Sequence, residues 1–526
     1  QKAGWAITGA AAGLRPTEKH LSVLAADVDL QGEEAMLRDL LVEKAGLPWT
    51  DRVIIYDTDD MVSKVIASAG DFGDDHTVCV IHCAEELRYI YERDYRSTAT
   101  KAILVLPNRD ILIPYDISRR FAIVVLGFDV LFPQLDATTL RAAPGIDFDF
   151  LAVATKHMVG RKLNAKQTKQ FYMKAMFTQS AVDGYAEAVM QEINARIVAI
   201  KTYKDWLPII DSLSKLMLLR DKGFRVELQP IYDAVDAAFR SWTAARYASL
   251  ASTADISQPV MLHHVPDFVR RSSSKPAVVV IDGMSFIDWQ VIREYLADTP
   301  WRVNVSSVFS FLPSVTSIAR QSLFSGKVPV QNAKPFSLAD EEKQWRQYWT
   351  ENGLRDDEVY FGKTETPEIP DKVKAAGIVV NFIDDLMHRQ LQGTQGMVVD
   401  INTWLKNGAL RRLIEKLMQS GFDVFITADH GHTEATGKGR FSKPGLLTED
   451  ASRRAVIYKD FAGAEELDKF KVTEYTGTYM PKTYRYFLFA NGECIGDYGS
   501  KYITHGSDSI EELLVPFVRI GEAQNG

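Results

Sequence analysis

Five apolar residues in a row, Ala277-Val278-Val279-Val280-Ile281, run straight into Asp282-Gly283. A run with no polar face describes a strand buried on both sides, which is the central parallel strand of an α/β sheet. Parallel neighbours need long crossover connections, usually helices, so this one segment already commits the C-terminal half to strands alternating with helices. A second run of the same kind, Val424-Phe425-Ile426-Thr427-Ala428, ends in Asp429-His430-Gly431. Open α/β sheets place ligands at the carboxyl ends of such strands, where both acids fall. Glycine beside them allows close backbone approach. An adjacent carboxylate and imidazole suit zinc or manganese.

Three further pieces lie in the same half. Val303 to Leu312 reads as a strand, followed by Pro313-Ser314-Val315-Thr316 and a helix from Ser317 to Phe324 closed by Gly326. Thr316 thus stands at a helix N-terminus, where backbone amides and the dipole favour a phosphoryl oxygen. Its hydroxyl becomes a nucleophile only if a metal or base lowers its pKa. Arg320 sits one turn on, placed to steady an anion or to pair with an acid. Asp384 and His388, four apart within Val379 to Arg389, share one helical face. His505 precedes Ser509-Ile510-Glu511-Glu512, a capping-box start to a short helix. Singly, each piece has an ordinary explanation: a turn for Asp-Gly, a surface pair for Asp384 and His388, an N-cap for Thr316. Their occurrence together, each on the element where it would be useful, points to a metal-dependent hydrolase of phosphate esters.

The 526-residue chain as a whole divides into four expected segments. Residues 1–150 form an α/β domain, marked by β-branched runs at Val53-Ile55, Val78-Ile81, Ala102-Leu106 and Ala122-Leu126, with Phe121 to Phe132 read as a core strand. Residues 151–250 form a helical region, with Ala186, Met190, Ile193, Ile197 and Ile200 at helical spacing. Residues 251–276 connect it to the domain at 277–526. Asp57-Thr58-Asp59-Asp60 superficially resembles a receiver domain's acidic cluster, but no matching Asp and Lys follow on later strands. Net charge is −8, so no bulk basic surface advertises nucleic acid. Cys79, Cys83 and Cys494 are too few and scattered for a disulfide framework and read as buried thiols in a reducing cytoplasm. No run of ~18 apolar residues could span a membrane. The first residues also lack a signal-peptide pattern.

Val280-Ile281-Asp282-Gly283-Met284-Ser285, Pro313 to Arg320 running on to Leu323-Phe324-Ser325-Gly326, and His505-Gly506 followed by Glu511-Glu512 and Val515-Pro516 together resemble the PglZ domain of the alkaline phosphatase superfamily, known from BREX-type bacteriophage-defence operons. The resemblance spans about Ala277 to Ile520. It implies an alkaline-phosphatase-like, mostly parallel sheet flanked by helices, preceded by the smaller α/β domain and the helical region. It also implies two divalent ions, zinc or manganese. Asp282, Thr316, Asp429 and His430 would hold one, and Asp384, His388 and His505 the other. Thr316 would be the nucleophile, and threonine excludes the formylglycine chemistry of sulfatases.

The nucleotide pyrophosphatase relatives carry an Asn just beyond the nucleophile, absent from Ser317 to Arg320, so Arg320 is the expected substitute. Lys438, Arg440 and Lys443 offer either a phosphate rim or a solvated loop, and His432 reads as a loop histidine outside the ligand set. The activity implied is a metal-dependent phosphodiesterase acting on nucleotide or oligonucleotide linkages in bacteriophage defence. Its partners would be a phosphodiester substrate such as an oligonucleotide or cyclic nucleotide, and defence-system proteins such as a DNA methyltransferase, with no membrane. Alternatives are a docking component with a vestigial hydrolase fold, or a phosphomonoesterase.

Overall fold

The computed structural model describes residues 36–522 except 70–75, 144, 157, 159, 391, 441–451, 460–466 and 468. The chain forms two compact units, Gln1–Ala188 and Val189–Gly526.

In the first unit, β1 (Arg52–Asp57), β2 (Thr77–Val80), β3 (Ala102–Leu106) and β4 (Ala122–Leu126) make a parallel sheet in the order β2-β3-β1-β4. Apolar β3 is wholly buried between its neighbours, and Ile54, Leu104, Tyr91 and Phe121 share a core. The run from Phe121 departs from expectation. It supplies edge strand β4, whose Ile123 and Val125 are exposed, and then the helix Phe128–Leu131. Hydropathy gives strand propensity but not sheet position, and an edge strand has only one paired neighbour. The acidic cluster is structural. Asp57 accepts from the amides of Met61 and Ser63 at the start of the next helix, and Asp59 is bound by Arg141. Of the thiols, Cys494 is buried, Cys79 is half-buried and Cys83 is exposed, because Cys83 stands at the cap of the helix Ala84–Ile90 beyond the strand end.

The second unit is built on six strands: β5 (Pro276–Ile281), β6 (Trp301–Phe309), β7 (Val359–Gly362), β8 (Ala375–Val380), β9 (Asp423–Thr427) and, last in the chain, β16 (Leu514–Glu522). The order is β6-β16-β9-β5-β8-β7. β7, β8, β5 and β9 pair in parallel, and β16 runs antiparallel to both β9 and β6, so five of the six point the same way. β5 is buried along its whole length, as its sequence requires. Smaller sheets sit between β9 and β16 in the chain. One joins β10 (Thr433–Gly437), β14 (Glu493–Cys494) and β15 (Lys501–Thr504); the other joins β11 (Ala455–Tyr458), β12 (Val472–Tyr475) and β13 (Arg485–Phe489).

The helical stretch is realised as Ala165–Gln170, Gln179–Ala199, Trp206–Asp221 and Gln229–Leu250. The last of these packs on the end of β6, where Phe239 and Trp242 stack on Phe309 at 6.0 and 5.7 Å. Residues 251–276 hold the helix Val265–Ser272, and Val260, Met261, Leu262, Val265 and Val269 are buried. Their apolar side is amphipathic rather than loop-like, and burying it against the sheet orders the segment. Among the described residues, no helix is long and apolar enough to cross a membrane.

Candidate metal centre

Asp282 follows β5 and Asp429-His430 follows β9, and these strands pair in register from Pro276↔Asp423 to Val280↔Thr427. Both acids therefore leave the sheet side by side. One ligand atom from each of Asp282, Asp429 and His430 lies within 4.8 Å of the others, and all three residues are buried. Asp429 Oδ1 accepts from the amides of Gly283, 3.2 Å, and His430, 3.1 Å. Asp429 Oδ2 and Asp282 Oδ1 are buried and accept no hydrogen bond. Two buried carboxylates with an oxygen each left bare are costly unless a cation meets them. Burial pushes the Asp429 carboxyl up to about 6, and burial followed by the charge of Asp429 pushes Asp282 well above the carboxylate range. This charge balance fits a divalent ion.

The histidines are prepared in the same sense. His430 Nδ1 lies 3.0 Å from Gly431 O and donates to it, so the lone pair is on Nε2, 2.9 Å from Thr316 Oγ1. Burial lowers the His430 pKa and keeps the ring neutral, the form that binds metal. His505 is fixed likewise, its Nδ1 donating to Ser314 O at 2.7 Å. β10 starts just after His430-Gly431-His432 and β15 ends just before His505, and their antiparallel pairing sets Thr433 opposite Thr504. The His430 and His505 rings consequently stack, with centroids 3.9 Å apart.

Thr316 opens the helix Thr316–Ser325, every residue of which is buried. Ile318 and Ala319 already donate to Val315 O, so the amides of Thr316 and Ser317 come before the first in-helix acceptor. The turn before it is tied to the His505 loop: Ser314 Oγ donates to Ser507 O and accepts from Gly506 N.

Asp384 and His388 form a looser group. Only Phe382–Met387 is helical, with Asp384 in its first turn and His388 at its end, because β8 claims the chain through Val380. Their side chains still meet, Asp384 Oδ2 to His388 Nε2 at 3.4 Å. A Cβ on Gly283 would lie 2.6 Å from Met387 Cε and 3.8 Å from Asp384 Cα, so glycine there, at φ +74°, lets this helix close on the Asp282 turn. Burial alone would raise Asp384, but the His388 hydrogen bond, with the neighbouring His505, outweighs it and holds the carboxyl low. With Asp384 Oδ1 buried and bare and the His388 side chain 42% exposed, this side forms the mouth of the centre.

Of the two roles expected of it, Arg320 takes the pairing with acids. Nη1 binds Asp282 Oδ2, while Nε and Nη2 reach the two carboxylate oxygens of Glu341 at 2.8 and 3.3 Å. Lys438 and Arg440 pair with Glu493 and Asp497, and Lys443 lies outside the described residues. His432 lies on the loop between β9 and β10 and is sealed inside it: it is 1% exposed, with Nε2 2.8 Å from Asp288 Oδ2. Asp288 also accepts from the Ser285 amide and hydroxyl, so this pair clamps the turn after Asp282 to the turn after His430. The spacing Ser285-x-x-Asp288 was the available signal for that cap. Sequence reading also missed Arg453, half-buried, whose guanidinium stacks over Tyr502 at 4.6 Å and whose charge acts on His388. Among the described residues no carboxylate lies in ion-pair range of it.

Comparison with known proteins agrees with this architecture. Residues 260–520 match the model of the BREX system PglZ alkaline phosphatase-like domain. Among solved structures, the murine ectonucleotide pyrophosphatase/phosphodiesterase 5 is similar at 14% identity over 46% of this chain and 87% of its own, with a TM-score of 0.35. Phosphonoacetate hydrolase from Sinorhizobium meliloti, in complex with phosphonoformate, is similar at 12% identity over 47% of this chain and 90% of its own, with a TM-score of 0.33. Likenesses of that size carry no functional weight. No curated protein matches the chain. With its strand order, its paired acidic strand ends and the match over 260–520, the chain is a PglZ-domain protein of the alkaline phosphatase superfamily.

Proposed function

We propose that this protein is a metal-dependent phosphodiesterase acting on nucleotide or oligonucleotide phosphodiester bonds, with Thr316 as nucleophile. The observation that carries the reading is the convergence of Asp282, Asp429 and His430 ligand atoms within 4.8 Å, with the Thr316 hydroxyl 2.9 Å from His430 Nε2. Asp282, Thr316, Asp429 and His430 hold one divalent ion in this proposal, and Asp384, His388 and His505 the other, with zinc favoured by the nitrogen ligands. Bound ions would supply Lewis-acid charge that lowers the hydroxyl pKa and meets the leaving oxygen.

The chain's own part is positioning. The opening amides of the Thr316 helix receive a phosphoryl oxygen. Thr316 Oγ1 forms a bond to phosphorus as its proton passes to solvent and the ester oxygen leaves as an alcohol, taking a proton from water. Water then attacks the phosphorus, freeing a phosphate monoester and restoring the Thr316 hydroxyl. A diester is favoured over a monoester because Arg320, the nearest cation, is already held by Asp282 and Glu341. Arg453 at the mouth supplies one charge for the rest of the substrate. A docking component would gain nothing from bare buried carboxylate oxygens, which lower stability without an ion. The BREX system named in the family description supports a role in bacteriophage defence; partners such as a DNA methyltransferase belong to the same proposal.

The deciding experiment is elemental analysis of purified protein followed by assay on bis(p-nitrophenyl) phosphate. About two ions per chain and metal-dependent turnover are expected. Protein that takes up no metal from zinc buffer and does not cleave the diester refutes the proposal.

A further inference from the structure

We infer that Glu341 and Lys363 are positioning residues for the metal centre, acting through Arg320 to hold Asp282 as a one-oxygen ligand. Four side chains of alternating charge run from the surface to the site. Lys363 Nζ binds Glu341 Oε1, Glu341 binds Arg320 through both oxygens, and Arg320 Nη1 binds Asp282 Oδ2. Only Lys363 reaches solvent, with its side chain 42% exposed; Glu341 and Arg320 are 2–3% exposed at the side chain, and Asp282 is 4% exposed.

The geometry divides the work. A guanidinium is a rigid planar fork, so fixing two of its nitrogens on Glu341 fixes the direction of the third. That third nitrogen occupies Asp282 Oδ2 and leaves Oδ1 as the bare oxygen of the cluster. Groups behind a ligand that orient it in this way commonly change metal affinity by about 10- to 100-fold when removed. The support is itself anchored. Glu341 opens the helix Glu341–Glu351, whose Trp345 indole lies where a Cβ on Gly377 of β8 would be 2.9 Å away, and whose Trp345 ring also meets Phe324 of the Thr316 helix edge-on at 5.5 Å. Lys363 directly follows β7. The chain of charges therefore spans rigid elements on that side of β5. Arg320 is accordingly a positioning residue rather than a contact to substrate.

This inference rests on the metal reading above, and its test reads affinity rather than turnover. Zinc binding to the full chain is measured by competition with a chromophoric chelator for the wild type, Glu341→Gln, Lys363→Met and the exposed neighbour Glu342→Gln. Circular dichroism and melting of each metal-free protein are recorded alongside. Glu341→Gln should bind zinc at least about tenfold more weakly, and Lys363→Met more weakly by a smaller factor. Glu342→Gln should match the wild type. A purely structural ion-pair network would instead lower the metal-free melting point and leave zinc affinity alone. Should Glu341→Gln not fold, Lys363→Met decides. Wild-type affinity in whichever of the two variants folds overturns the inference while leaving the metal centre standing, whereas absence of zinc binding by the wild type removes both.

Discussion

Thr316 Oγ1 lies 2.9 Å from His430 Nε2, and the imidazole is held in that tautomer by its Nδ1–H on Gly431 O at 3.0 Å. The nucleophile candidate and a candidate ligand nitrogen therefore address the same point. Thr316→Ala should lower turnover at least about a thousandfold, since the covalent step has no substitute. One lost hydrogen bond should change stability by only about 1 kcal/mol. Steady-state rates and melting curves check both, and Thr316→Ser should restore part of the rate. A variant retaining most activity would reduce Thr316 to a helix cap.

Arg320 is shared between Asp282 and Glu341, so a monoester dianion would find little spare positive charge. kcat/KM for the bis(p-nitrophenyl) ester should exceed that for the monoester by about tenfold or more, or about 1.4 kcal/mol in transition-state binding. The opposite order would make the protein a phosphatase.

Arg453 stacks on Tyr502 beside the exposed side of the centre. Arg453→Ala should raise KM for an oligonucleotide about fivefold with little effect on kcat, and the difference should shrink at high salt. Initial rates at low and high ionic strength test it, and an unchanged KM would place Arg453 outside the substrate path.

Gly431 cannot carry a side chain: a Cβ would stand 1.9 Å from Glu511 O and 3.2 Å from Ser285 Cα. Both neighbours are backbone and cannot swing away. Gly431→Ala should therefore cost on the order of 3 kcal/mol or more, read as a lower denaturation midpoint. Wild-type stability would mean that the loops are further apart than described.

His263 is packed against His264 at 3.9 Å and Phe311 at 5.5 Å, and burial pushes its pKa down to about 3. The unfolded chain takes up this proton near pH 6.5 and the folded chain does not. Stability should thus be fullest above pH 6.5 and fall between 6.5 and 3, by at most about 1.4 kcal/mol per pH unit from this residue. Denaturation midpoints against pH for the wild type and His263→Asn provide the check. The variant should have the shallower slope, and parallel curves would contradict the assignment.

Local pattern was enough to locate much of the domain. A short unbroken apolar run bounded by turn residues is the usual pattern of a doubly buried strand, so β5 and β9 and the acids at their ends were legible, as was the helix that Thr316 opens. The family resemblance rested on those same short motifs and matches the domain found over 260–520. What the sequence did not determine was who stands opposite whom. Phe121 to Leu126 has the composition of a core strand and lies at an edge; His432 follows a ligand motif and is sealed inside against Asp288. Arg320 lies one turn from Thr316, yet Glu341 and Asp282 claim its guanidinium. Helix Gln229–Leu250 lies far upstream of the motifs, yet its Tyr232 hydroxyl donates to Glu511 and its Tyr247 hydroxyl accepts from Leu312 N. Propensity and periodicity act over a few residues, whereas burial, pairing of charge and the direction of a ligand oxygen depend on elements joined only when the sheet closes.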